Sequence, residues 1–309
     1  MPEMDDDIFE KYLKAGRAVA KALDLAEKIT RPGAKYLDIA KLVEGEIINS
    51  GCELSFPINM SLDEQAAHYS PIIEDPLVVP EHGLIKIDCG SHYKGYIADA
   101  AVTIDLGNDG GLYEDLINGA SEALSNALNI VKPGINVAKL GEEIHRTMQK
   151  YNVKPVSNLG GHGLDAYSLH TGLFIPNTGG GMHNDKLELG KAYACEPFST
   201  NGVGRIKNGK EITIFEVQNT KKKNMKLTER SIAQKFRDKF GSLPFSPRAI
   251  DFIKGKQRIN DVVDKFLRKR VLRGYNVFVE VGGGIVAQKE HTFIVTKDGA
   301  HITTILDND

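Results

Sequence analysis

The chain has 309 residues, 41% of them apolar and 26% charged, with a formal net charge of −2. That balance supports a buried core and excludes wholesale disorder, and no run approaches the roughly 18 apolar residues that span a bilayer. The opening MPEMDDDIFE is acidic and lacks an apolar signal core, so secretion is not expected. Cys52, Cys89 and Cys195 form no CxxC pair, which argues against thiolate zinc and for a reducing, cytoplasmic setting.

In chain order, IFEKYLKAGRAVAKALDLAEKI repeats Phe9, Leu13, Ala20, Leu23 and Ile29 near the helical period, and Pro32-Gly33 ends the helix. Tyr36 to Ile48 reads as a second helix. The pattern then recurs. ALDLAEKITRPG (Ala22 to Gly33) matches ALSNALNIVKPG (Ala123 to Gly134), and the helices IAKLVEGEI and VAKLGEEI follow. Leu62-Asp63 precedes His68 by the same spacing with which Leu164-Asp165 precedes His170. Strands come next in each half, LIKIDCG near residue 84 and KAYACEPF near residue 191. A repeat of roughly 100 residues is too long for a solenoid unit. It implies two related α+β halves about a pseudo-twofold axis, with a crevice between them.

Residues 221–275 break the second half. They hold 17 Lys and Arg against 5 Asp and Glu, a net of +12, which leaves −14 on the rest. LTERSIAQKFRDKFG and INDVVDKFLRKRVLRG read as amphipathic helices, each closed by Gly. The expected division is therefore a body of 1–220 and 276–309 with a basic helical subdomain at 221–275. Strands resume at YNVFVEV and IVAQKEHTFIV, and a Lys297-Asp298-Gly299 turn leads to HITTIL. GGGM (179–182) and GGG (282–284) are not phosphate loops, because no Lys-Ser/Thr follows.

KIDCGSHYKGYIADAAVTID reads as a hairpin turning at Tyr93-Lys94, which places Asp88 directly opposite Asp99. Two carboxylates so close either share a proton or hold a cation. Three further donors end strand-like segments: His162 in NLGGHGLD, Glu196 in YACEPF and Glu290 in VAQKEHTFIV. Four carboxylates and one imidazole suit Mn, Fe, Co or Zn. His68 and His170, the repeated pair, are placed by the repeat on opposite sides of one crevice, where a substrate amide fits between them. The other six histidines read as surface or packing residues.

The ordered set Asp88, Asp99, His162, Glu196 and Glu290 resembles the five-ligand signature of the type II methionine aminopeptidases. FPINMS followed by AAHYSP resembles the segment that forms their methionine pocket, the helical insertion between Glu196 and Glu290 resembles the one that separates type II from type I enzymes, and the short N-terminus resembles the archaeal form. The resemblance implies the α+β "pita bread" fold, two divalent ions, and removal of the initiator Met from nascent polypeptides with small second residues. It implies that Asp99 and Glu290 bridge two metals, that Asp88 holds one, and that His162 and Glu196 complete the other. It further implies that His68 and His170 contact the scissile amide and that Phe56 lines the methionine pocket. Glu196 is also the candidate proton shuttle. Two positions depart from the pattern. Lys289 replaces an aromatic residue, and Gly160 stands where a polar residue often meets the substrate amine. A monomer without membrane contact is expected, with the basic insertion as a surface for the ribosome. The competing readings are an Xaa-Pro aminopeptidase and a non-catalytic ribosome- or nucleic-acid-associated relative.

Overall fold

Asp5 starts the first helix by accepting the N–H groups of Asp7 and Ile8 on its side chain. Helix α1 (Asp6–Ile29) and helix α2 (Tyr36–Asn49) lie against strands β1 (Glu53–Leu62), β3 (Leu84–Tyr93) and β4 (Tyr96–Asp105), while the short β2 (Gln65–Ala67) joins another sheet. The buried face of α1 is built from Ala15, Ala18, Val19, Ala22 and Ala26, and these small side chains let the helix settle close on β3 and β4. The computed structural model describes residues 4–107, 111, 113–181, 183–221 and 225–306. Met182 of the first glycine-rich run and Lys222 and Lys223 of the basic block lie outside the described residues.

The second half repeats the arrangement with helices α3 (Glu114–Asn129) and α4 (Val137–Lys150). Its strands are β5 (Lys154–Pro155), β6 (Gly160–Leu164), β7 (Phe174–Pro176), β8 (Ala192–Cys195), β9 (Phe198–Thr200) and β10 (Ile206–Val217). After the inserted helices α5 (Leu227–Phe240) and α6 (Lys256–Arg268) come β11 (Leu272–Glu280), β12 (Val286–Gln288), β13 (His291–Thr296) and β14 (Gly299–Ile302). The β1-β3-β4 sheet of the first half has its counterpart in the β6-β8-β13 part of the second. The twin Pro-Gly stops behave alike. Gly33 and Gly134 adopt φ of 82° and 78°, and each donates its N–H over 2.8 Å, to Val79 and Leu187. Each half encloses its own apolar core.

The halves are stitched where β4 meets the chain around Glu290. Ala101 and Glu290 form an antiparallel bridge. The Thr292 hydroxyl donates to Asp99 O and accepts from Asp99 N, each at 2.8 Å.

Two sequence readings change here. The helix expected through Gly274 ends at Arg268. Arg270 takes a positive φ of 53°, and the chain turns at once into β11, which pairs with β10. Gly274 is small for packing rather than for ending a helix, since a Cβ there would lie 2.4 Å from Ile212. The single strand expected over 285–295 is two strands, because Gln288 pairs with Phe198 while His291 pairs with Cys195. Around α5 and α6 an aromatic core forms from Phe236, Phe245 and Phe266, with Phe240 stacked on Phe245 at 4.0 Å. Arg248 anchors this region to the first half through a largely buried ion pair with Glu44 on α2. No described helix is long and apolar enough to cross a membrane.

The second glycine run has a structural use. The Glu280 carboxylate, 1% exposed, accepts four backbone N–H groups, from Val203, Gly204, Gly282 and Gly284. Burial alone raises its pKa, but these four donors win and hold it below the ordinary value. Its contribution to stability is therefore present above the unfolded value, near 4.3, and is lost as pH falls through the lower folded value. Glu280→Ala is expected to lower unfolding free energy by about 3 kcal/mol in chemical denaturation at pH 7, and an unchanged midpoint would contradict this role.

Candidate active site

The β3–β4 hairpin carries the first two carboxylates, with a register different from the expected one. Tyr93 pairs with Tyr96, so the turn is Lys94-Gly95, with positive φ of 52° and 93°, as a two-residue hairpin of this twist demands. Asp88 therefore faces Ala101, and Asp99 faces Gly90. The error is two residues, an even number, so both carboxylates still project from one face as diagonal neighbours. Ala98 and Ala100 point the other way and are fully buried.

The remaining donors arrive from the second half. Asp185 O and Leu77 O accept equivalent bonds from Val137 and Tyr36, an offset of 108 that also carries Asp88 onto Glu196. Glu290 sits one step beyond the His291–Cys195 pair, across from Glu196 and beside Ala101. His162 comes from β6, paired to Ala194. The glycines around it are needed for close approach: a Cβ on Gly161 would lie 2.1 Å from Ala194 O, and one on Gly160 would lie 2.2 Å from Ile175 O. Gly160 thus has no room for the polar side chain whose absence the sequence flagged. Lys289 is directed away from the carboxylates, into the field of Glu27 on α1.

All eight residues singled out from the sequence, Phe56, His68, Asp88, Asp99, His162, His170, Glu196 and Glu290, line one cavity of about 610 Å³. Asp99, His162 and Glu290, all buried, each offer a ligand atom within 4.8 Å of the others. His162 Nε2 stands 3.6 Å from Asp99 Oδ2 and 3.8 Å from Glu196 Oε1. His68 packs on Phe278 at 4.4 Å and meets Tyr275 edge-on. His170 lies 4.3 Å from His162, ring to ring. None of the six remaining histidines lines the cavity.

Burial is the largest perturbation on every charged group here. It raises Asp88 to about 7. Burial, then the neighbouring carboxylates, push Asp99, Glu196 and Glu290 well above the carboxylate range. It lowers His162 to about 3 and His68 to about 4, so both imidazoles are neutral at pH 7. Asp88 Oδ1, Asp99 Oδ1 and Glu290 Oε1 have no hydrogen-bond partner, which is costly for buried oxygens. A hard oxygen-rich set with one neutral imidazole and orphaned acceptors fits divalent cations.

Sequence reasoning missed several lining residues. Tyr275, Phe278 and Arg273 come from β11, which follows α6, and Asn59 pairs with Asp88 from β1. Nothing local marks them, because their neighbours lie far along the chain.

The sequence pattern of metallopeptidase family M24 matches residues 10–297. The chain belongs to that family. A protein named methionine aminopeptidase from Archaeoglobus fulgidus is 39% identical over 97% of this chain and 100% of its own length, which places the chain with the archaeal methionine aminopeptidases of the family. Among solved structures, a thermophilic Arx1 superposes with a TM-score of 0.85 at 19% identity, covering 98% of this chain and 92% of its own. A methionine aminopeptidase from Thermotoga maritima gives 0.71 at 23% identity, covering 99% and 100%. At such identities these two share the pita-bread fold and no more.

The carboxylate cluster predicts an unusual pH response. Stripped of divalent ions, the folded chain keeps a proton on Asp88 up to about pH 7, whereas the unfolded chain loses it near pH 4. Stability of the stripped protein should therefore decline as pH rises between those values. Thermal melts in chelator at pH 5.5 and 7.5 should differ by roughly 5 °C in favour of the lower pH, and added Mn²⁺ should erase the difference. A flat profile would contradict the clustering.

Proposed function

We propose that the chain is a metal-dependent aminopeptidase that removes N-terminal methionine, with Asp88, Asp99, His162, Glu196 and Glu290 as its cation ligands. The observation that carries the assignment is the convergence of those five groups on one cavity, whose lining also holds the neutral His68 and His170, the apolar Phe56, Phe174 and Phe278, and Arg273. We read the set as holding two divalent ions, of Co, Mn, Fe or Zn, with Asp99 and Glu290 shared. Such ions supply Lewis acidity toward the scissile carbonyl and lower the pKa of water.

The protein's own groups account for the rest. Phe56, Phe278 and Phe174 give an apolar lining for a thioether side chain. His68 and His170 are neutral and flank the cavity. His68 gives its Nδ1–H to Asn276 O at 3.3 Å, which leaves Nε2 to accept the N–H of the substrate amide, and His170 is able to donate one N–H to the substrate oxygen as charge develops there. His170, at 4.3 Å from His162, sits nearer the cation ligands and is read as the oxyanion donor. Glu196, whose high proton affinity follows from burial and then from Asp88, is read as the carrier of a proton from water to the leaving amine. We also read the chain as favouring small second residues, as its family resemblance implies.

The division into a body of 1–220 and 276–309 and a basic subdomain at 221–275 is kept as our reading. It is supported by the aromatic core around α5 and α6, to which Phe215 and Val217 of β10 also contribute. Part of its charge serves that core: Lys265 and Lys269 both pair with Glu229, and Lys239 pairs with Asp251. Arg248, Lys256 and Arg273 are paired as well, with Glu44, Glu74 and Glu216, and contact with the ribosome rests on the surplus of positive charge in the block.

Purified protein should cleave Met-Ala-Ser and lose that activity in chelator, while Xaa-Pro peptides are spared. Asp99→Ala should abolish both cation binding and turnover with the fold intact, and His170→Ala should lower kcat by about 100-fold or more. Full activity of Asp99→Ala, or cleavage of Xaa-Pro in preference to Met-Ala-Ser, would overturn the assignment.

A further inference from the structure

One neutral amide sits among the carboxylates. Gln288 is 2% exposed and ends β12, two residues before Glu290. Its side-chain Nε2 lies 3.3 Å from Glu290 Oε2, 3.5 Å from Asp88 Oδ2 and 3.5 Å from Glu196 Oε2. Its backbone is clamped on both sides by one hydroxyl. Thr103 Oγ1 donates to Gln288 O and accepts from Gln288 N, each at 2.8 Å. Three acceptors therefore share the two N–H groups of one amide, and the amide has little freedom to move away from them.

The orientation of the amide is dictated by charge. Turned over, it would aim an oxygen at three carboxylate oxygens. In the observed orientation Gln288 Oε1 is left buried without a partner, a cost accepted so that nitrogen faces the acids. The oxygens that Gln288 does not touch tell the complementary story. Asp88 Oδ1 and Glu290 Oε1 have no hydrogen-bond partner, and Glu196 Oε1 faces His162 Nε2 at 3.8 Å. One oxygen of each carboxylate is engaged by the amide and the other is left for something else.

We propose that Gln288 is a positioning residue for cation binding, holding one oxygen of Asp88, Glu196 and Glu290 so that the opposite oxygen of each is presented to the cations. This rests on the reading of those three residues as cation ligands. Gln288 does not line the cavity, so it acts through the ligands and not on the peptide. It spans both halves of the molecule: Asp88 comes from β3, Glu196 from the turn after β8, and the amide itself from the last part of the chain. A neutral donor is the group this position calls for. A Lys or Arg would cancel the negative charge that attracts the cations, and an apolar side chain would leave three buried oxygens unsolvated.

The test is calorimetric titration of Mn²⁺ into the chelator-stripped full chain, wild type beside Gln288→Met, which keeps length and removes the donor. The expected result is a 10- to 100-fold loss of Mn²⁺ affinity with an unchanged far-UV spectrum. At saturating Mn²⁺, kcat with Met-Ala-Ser should fall while KM stays within about twofold, a split that a general loosening of the site does not produce. Thr103→Val, which removes the clamp and leaves the amide, should weaken Mn²⁺ binding to a lesser degree and serves as the test if Gln288→Met does not fold. A folded Gln288→Met, or failing that Thr103→Val, that binds Mn²⁺ with wild-type affinity and stoichiometry would overturn the proposal. A wild-type chain that binds no Mn²⁺ would instead overturn the cation reading on which it rests.

Discussion

Four carboxyl groups buried against one another repel, and the whole molecule is arranged to make them tolerate that proximity. Asp88, Asp99, Glu196 and Glu290 are each pushed toward the protonated form first by burial. A fold selected only for stability would place apolar residues there. Here the backbone does the opposite. It fixes Asp99 through both its N–H and its carbonyl to Thr292, bridges Ala101 to Glu290, and surrounds His162 with glycines that let β6 and β8 approach closely. Without cations these groups hold protons in a rigid frame, and divalent cations would take the place of those protons. Cation affinity and the stability of the site are thus two expressions of one electrostatic fact.

The two halves explain how such a site is assembled. Each supplies a carboxylate from an equivalent strand, Asp88 within β3 and Glu196 just after β8, and each supplies a histidine at the cavity, His68 and His170. The repeat generates the symmetric frame, and departures from it generate the chemistry. His162 and Gln288 have no counterpart among the singled-out residues of the first half. β11, which follows α6, closes the cavity with Tyr275 and Phe278. The α5–α6 region is therefore tied to the site, because the strand that leaves it forms a cavity wall.

Much of this was legible in the sequence for physical reasons that apply residue by residue. The helical period and the Pro-Gly stops marked α1 through α4, and the internal repeat revealed the two halves. The five donors were recognisable as a set through family resemblance, although each alone was weak. The hairpin register was missed by two residues because the two-residue turn sits one position later than Tyr93-Lys94, at Lys94-Gly95, where both residues take positive φ and Gly95 does so without strain. The end of α6 was missed because Arg270, not a glycine, takes the left-handed conformation there. Gln288, Asn59 and the β11 residues stayed invisible because their partners are non-local: Gln288 is 200 positions from Asp88. Gln288 had one usable signal, its place two residues before Glu290.

The most direct test of the account is anomalous diffraction from crystals grown with Mn²⁺ or Co²⁺. The account predicts two anomalous peaks within coordination distance of Asp88, Asp99, His162, Glu196 and Glu290, with Asp99 and Glu290 touching both. Peaks only elsewhere on the protein, or no peak among these five side chains at saturating metal, would contradict it.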